Sequence, residues 1–181
     1  GRGCSTLSAW DDNRTMIKAI LFDMDDTLIS SAGTWRVAES RLYRLLGSDF
    51  REDLAIKYCG LNAEGVAGVI FDAIEPESLS RDELVRTMRK YLIEAFTAGP
   101  KAIAGADSLI SSVYGYYSLA VASGSPREAI RGVLSTFGWD RYFDVYVSSE
   151  EVSRGKPAPD VFIEAARRLG FAAEHCLVIE D

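Results

Sequence analysis

The hydrophobic pattern divides the chain into a short apolar run, a long helical middle and an alternating remainder. The run is Ile17, Ala19, Ile20, Leu21 and Phe22, bounded by polar residues. It is too short for a typical helix and nearly uninterrupted, which predicts a strand buried on both faces, as in a parallel sheet. In the middle of the chain, Thr34 is placed to cap a helix reaching about Leu46, which Gly47 ends. A second helix is predicted over 50–59 and a third over 63–73, after the turn Gly60-Leu61-Asn62. Ser80-Arg81-Asp82-Glu83 has the form of a capping box, in which serine and glutamate each satisfy a backbone N–H of the other. It opens a long helix carrying Leu84, Val85, Met88, Leu92 and Ala95 along one face.

From Ala106 onward the pattern alternates as in βαβ units. It predicts a helix over 106–114, a strand over 118–122, and a helix from Ser125 to Phe137 with Ser125 as its cap. A strand over 143–147 follows, then a helix entered through Pro157-Ala158-Pro159-Asp160 and stopped by Gly170, and a last strand over 176–179. Residues 32–100 therefore read as an all-helical insert between two parts, 16–31 and 101–181, of one α/β domain. Residues 1–15 are unlike the rest and read as an upstream extension or a cloning remnant; Gly1 to Ser5 fits a myristoylation pattern only loosely.

A chain of 181 residues with 48% hydrophobic positions has room for one medium domain, or a compact one with an insert. The net charge of −7 disfavours non-specific binding to nucleic acid, whose phosphates attract basic faces. No run approaches the roughly 18 apolar residues of a membrane span. Cys4, Cys59 and Cys176 are scattered and odd in number, which fits reduced thiols and a cytoplasmic protein more than a disulfide framework. His175 is the only histidine, so Ser-His-Asp or Cys-His chemistry has little to work with. Beside Cys176 it is far short of a zinc site, and it reads as a surface residue entering a strand.

The candidate chemistry lies where the first strand ends. Asp23, Asp25 and Asp26 fall within four positions, with Thr27 next. Like charges at the mouth of a buried strand are costly, and a cation is the natural offset. Hard divalent ions take carboxylate and carbonyl oxygens, and Mg²⁺ commonly combines one or two carboxylates with a substrate phosphate.

Asp23-Met24-Asp25-Asp26-Thr27 resembles the first motif, D-x-D-x-T, of the haloacid dehalogenase-like phosphohydrolases. Ser123, in Val121-Ala122-Ser123-Gly124-Ser125-Pro126, is similar to their second motif, Lys156 in Gly155-Lys156-Pro157 to the third, and Glu180-Asp181 to the fourth. The resemblance covers residues 16–181 and identifies the subgroup of helical-cap phosphatases and β-phosphoglucomutase-like enzymes. It implies a Rossmann-like parallel sheet core with an inserted helical cap over 32–100, hinged at Ser30 to Gly33 and Pro100 to Gly105. Family members usually continue past the fourth motif, so the expectation is a core truncated at its C-terminal end.

The resemblance also implies roles. Asp23 would attack phosphorus to give an aspartyl-phosphate, and Asp25 would serve as acid and then base. Thr27 would orient their loop, and Ser123 with the amide of Gly124 would hold phosphoryl oxygens. Lys156 would supply positive charge to Asp23 and the phosphate. Mg²⁺ would be held by Asp23, the Asp25 carbonyl and Asp181, helped by Glu180. Specificity is expected in the cap loop around Asn62 and Glu64. The implied reaction is Mg²⁺-dependent hydrolysis of a small phosphorylated metabolite, a sugar phosphate first among them. A phosphomutase shares all four motifs, but its cap-loop arginine has no counterpart between Gly60 and Val66. Asp25 speaks against a dehalogenase or phosphonatase, and the helical insert against a phospho-receiver domain. A weakly active or inactive fragment is the remaining alternative.

Overall fold

The computed structural model describes residues 16–181. The extension expected over 1–15, with Cys4, lies outside the described residues. Four parallel strands form the main sheet: β1 (Ala19–Phe22), β4 (Ser118–Ser123), β5 (Val145–Ser148) and β6 (Cys176–Ile179), in the order β5-β4-β1-β6. The register pairs Phe22 with both Val121 and Ile179, so the C-terminal ends of the three strands share one edge. Every residue of β1 is buried, as its unbroken apolar run predicts.

Side-chain alternation sends Ile20, Phe22, Leu119 and Val121 to one face of the sheet. There they meet α5 (Ala106–Val113) and α6 (Arg127–Thr136) through Ile110, Ile130, Val133 and Leu134. Leu21, Ala120, Ala122 and Val147 face the other way and pack on Val161, Ala165 and Ala166 of α7 (Asp160–Leu169). Each large apolar side chain so buried contributes about 1.5–3 kcal/mol relative to exposure. β6 is the edge strand, and Leu177 and Val178 on it are exposed.

Between Ser30 and Lys101 lie four helices, α1 (Ala32–Leu45), α2 (Glu52–Tyr58), α3 (Ala63–Ile74) and α4 (Arg81–Thr97). α4 packs against α1 and α3, and α2 against α3. The capping box at Ser80 and Glu83 forms as the spacing predicts, with the Ser80 N–H donating to Glu83 Oε2 at 2.9 Å. Its buried face is Leu84, Met88, Leu92 and Phe96; Phe96 occupies the last position on the stripe where Ala95 was expected. Ser80→Ala should cost about 1 kcal/mol and lower the melting temperature by a few degrees. An unchanged thermal melt would mean that packing alone holds α4.

Three local expectations are corrected. The helix predicted from Thr34 begins at Ala32, because Asp26 Oδ1 accepts from the N–H of Ser31 at 2.8 Å and supplies the cap from outside the segment. Ser125 does not cap α6, since its hydroxyl is directed into the site described below. The connections between core and insert are a paired ribbon, with β2 (Ile29–Ser30) antiparallel to β3 (Lys101–Ala102). Two-residue strands carry no alternation from which to read them. Arg89 of α4 reaches the core, donating to Glu150 Oε1 at 2.9 Å and also pairing with Glu128.

Candidate active site

Because the strands are parallel, the residues that follow β1, β4 and β6 meet at one edge of the sheet. Asp23 follows β1, and its N–H donates to the Ile179 carbonyl at 2.9 Å, which fixes its backbone beside β6. The residue is almost wholly buried, only 2% exposed. Lys156, on the loop after β5, places its Nζ 2.5 Å from Asp23 Oδ1 and 2.8 Å from Glu180 Oε1. Burial pushes the Asp23 carboxyl up to about 6, against the opposing pull of Lys156. Burial likewise works against the Lys156 ammonium, but Asp23 and Glu180 together outweigh it and hold its pKa above the ordinary lysine value. The pair is thus largely withdrawn from water.

Asp25, two residues on, has donors on both oxygens. Ser123 Oγ and Ser125 Oγ donate to Oδ2 at 2.7 and 2.9 Å. Trp35 Nε1, from α1, donates to Oδ1 at 3.0 Å. The Ser125 N–H donates in turn to Ser123 Oγ at 2.9 Å, and Ser148 Oγ to the Ser125 carbonyl at 2.8 Å. The acid is therefore clamped between the sheet edge and the first helix of the insert. Sequence reasoning missed Ser125 and Trp35 at this position. The first carried the stronger local signal of a helix cap, and the second had no signal at all.

A cavity of about 310 Å³ opens over this edge, roofed by α1, α2 and the start of α3. Asp23, Asp25, Gly124, Lys156, Glu180 and Asp181 lie on its wall. Ser123 stands behind that wall, fully buried, with its hydroxyl committed to Asp25. Thr27 is outside the cavity, and its hydroxyl is buried without a hydrogen-bond partner among the described residues. Asn62 is also outside it: its Oδ1 accepts from the Gly65 N–H at 2.9 Å and caps α3, while its amide nitrogen faces Gly155 beside Lys156. Glu64 is exposed and away from the cavity. The cap residues that do line it include Trp35, Arg36, Glu39, Tyr58, Leu61 and Val66.

The metal set expected from the sequence is only partly drawn together. Among the described residues, no group of three or more Asp, Glu, His or Cys side chains is close enough to form a closed cage. Glu180 is engaged by Lys156, while Asp23 and Asp181 share the cavity wall. The wall as a whole carries the carboxylates of Asp23, Asp25, Asp26, Glu39, Glu180 and Asp181 against only Arg36 and Lys156. That excess of hard oxygen donors fits a divalent cation held by few protein ligands.

A family model for haloacid dehalogenase-like hydrolases matches residues 17–181. The fructose-1-phosphate phosphatase YqaB of Escherichia coli (strain K12) is 27% identical over 166 residues, which span 90% of this chain and 85% of that protein. The crystal structure of CbbY from Rhodobacter sphaeroides in complex with phosphate superimposes with a TM-score of 0.79 at 25% identity, covering 92% of this chain and 78% of that one. A β-phosphoglucomutase from Clostridium difficile shares the fold with a TM-score of 0.78 at 23% identity, over 92% of this chain and 77% of its own.

Proposed function

The chain belongs to the haloacid dehalogenase-like hydrolase family, and from that premise we propose that it hydrolyses a small sugar phosphate through an aspartyl-phosphate on Asp23. The observation that carries this reading is the pairing of a buried Asp23 with Lys156 at 2.5 Å, on a cavity wall that Asp25 shares. An aspartate so buried, with one oxygen held by an ammonium, presents the other to a phosphorus atom without a water shell to displace. Lys156 offsets the repulsion between that carboxylate and the incoming phosphate.

Asp25 would then protonate the leaving oxygen and later take a proton from water. Both its oxygens accept hydrogen bonds from protein donors, so proton delivery requires one of them to come free. The Trp35 contact is the separable one, since it comes from the insert rather than the sheet. In this reading Gly124 borders the phosphoryl site, and Ser123 with Ser125 orients Asp25.

The cofactor we assign is Mg²⁺, which family members generally use; bound here it would neutralise phosphate charge next to Asp23. The side chains of Asp23 and Asp181 and the carbonyl of Asp25 are the groups that would hold it. The surplus of carboxylates on the cavity wall over Arg36 and Lys156 supports the assignment. Among the described residues Cys59 and Cys176 form no disulfide, which supports a cytoplasmic setting.

Phosphate release from sugar phosphates, including fructose 1-phosphate, should depend on Mg²⁺ and stop on chelation. Turnover that persists undiminished in excess chelator would rule out the cofactor, and no release from any sugar phosphate would rule out the activity. The second reading, a phosphomutase, has the shared fold in its favour, and Arg36 on the cavity wall as a cation for a second phosphate. Arg36 is, however, engaged with both oxygens of Glu52 at 2.7 and 3.2 Å. Conversion of β-glucose 1-phosphate to glucose 6-phosphate, with glucose 1,6-bisphosphate supplied, would establish the mutase.

A further inference from the structure

Glu39 is a carboxylate that none of the chemistry above uses. It lies on α1 one turn beyond Trp35, hence on the same helix face, and lines the same cavity. It is only 8% exposed. Among the described residues it has no ion-pair partner, and its one hydrogen bond is a long one, from Tyr58 OH to Oε2 at 3.4 Å. A carboxylate has about four acceptor positions, so most of the capacity of Glu39, including all of Oε1, is unspent. The nearest cation on that part of the wall, Arg36, is held by Glu52.

A buried acid with so little compensation is expensive as a purely structural group, and a neutral side chain would pack there at lower cost. Its surroundings point to a ligand instead. Trp35 marks the reacting end of the cavity by touching Asp25. Glu39, one helical turn on, is offset from Trp35 by about 5 Å along α1, the reach of a hydroxyl two or three carbons from an ester oxygen. Lys156 is the cation paired with Asp23, and the same wall offers Glu39, the Tyr58 hydroxyl and the apolar Leu61 and Val66, with Arg36 engaged by Glu52.

We propose that Glu39, assisted by Tyr58, is the specificity residue for the leaving group: it accepts hydrogen bonds from the hydroxyls of an uncharged sugar or sugar alcohol, and its charge turns away leaving groups that carry a carboxylate or a second phosphate. This rests on the phosphatase reading, and it narrows that reading to monophosphates of neutral polyols.

The test is equilibrium binding by calorimetry in Mg²⁺, using the full chain with Asp23→Asn so that no ligand turns over. The probes are sorbitol 6-phosphate, phosphoglycolate and fructose 1,6-bisphosphate. With Glu39 in place, sorbitol 6-phosphate should bind at least about 10-fold more tightly than either anionic rival, the scale of one hydrogen bond to a charged group. Adding Glu39→Ala should weaken sorbitol 6-phosphate by roughly 10- to 100-fold. Adding Glu39→Gln, which keeps the shape and removes the charge, should raise phosphoglycolate and bisphosphate binding relative to sorbitol 6-phosphate. Equal affinities for the three probes with Glu39 intact, or none measurable, overturn the proposal. So do Glu39 changes that move all three probes by the same factor, which is what a structural role alone would produce. The underlying reading is tested apart from this by hydrolysis of p-nitrophenyl phosphate, which has no such hydroxyls, with Asp23 intact. Turnover there without discrimination among the probes defeats only the assignment of Glu39.

Discussion

Asp23→Asn is expected to lower Mg²⁺-dependent phosphate release by at least about 10⁴-fold, the scale seen when an attacking group is removed. The amide is close in shape to the carboxylate but is far too weak a nucleophile to attack phosphorus. Packing should hardly change, since Asp23 sits among backbone contacts that an asparagine also makes, including its N–H to the Ile179 carbonyl. Lys156 keeps Glu180 as a partner in the variant and rests 4.8 Å from the centre of the Phe162 ring. A folded protein without turnover is therefore the expected result, to be read by phosphate release alongside circular dichroism. Retention of more than a few per cent of the activity would show that phosphorus is attacked by some other group, and the covalent route through Asp23 would have to be abandoned.

Asp25→Asn should cost about 10²- to 10⁴-fold in kcat, the contribution of a positioned general acid and base. An asparagine can still accept from Ser123 and Ser125 through its carbonyl oxygen. It cannot carry a proton to the leaving oxygen, and its amide nitrogen would meet the Trp35 N–H donor to donor. The loss should depend on the leaving group. A sugar alkoxide needs a proton, whereas p-nitrophenolate leaves without one, so Asp25→Asn should spare p-nitrophenyl phosphate far more than a sugar phosphate. Equal losses on both substrates would assign Asp25 to holding the site together, not to proton transfer.

The first strand and its acids were legible because local pattern and chemistry coincide there. An apolar run of that length has few uses other than a buried strand, and a buried strand ending in carboxylates needs a counter-charge. Lys156 was reachable only through its resemblance to a family motif, since a lysine between glycine and proline is otherwise a solvated loop residue. In the fold it is drawn beneath the sheet edge, against Asp23 and Glu180. Ser125 shows how a correct local rule loses to a distant partner. Serine before Pro126 and ahead of Glu128 is a good helix cap, but a carboxylate within reach of the same hydroxyl is a stronger acceptor. Asn62 shows the reverse. Its Oδ1 is committed to local capping, because the Gly65 N–H lies within its own turn, while its amide nitrogen faces Gly155 beside Lys156.

What the sequence determined by itself is the set of elements, the β2–β3 ribbon excepted, and the identity of the charged groups at the strand ends, because periodicity, capping and buried charge act over a few neighbouring residues. It also determined that a helical unit interrupts the α/β core between β1 and β4. Only the tertiary structure decided which of those groups face one another. Trp35 meets Asp25, Glu39 and Lys156 line one cavity, and Thr27 and Asn62 fall outside it. These outcomes depend on how α1 and α2 lie across the sheet edge, and that docking is set by contacts between residues far apart in the chain, which no local pattern encodes.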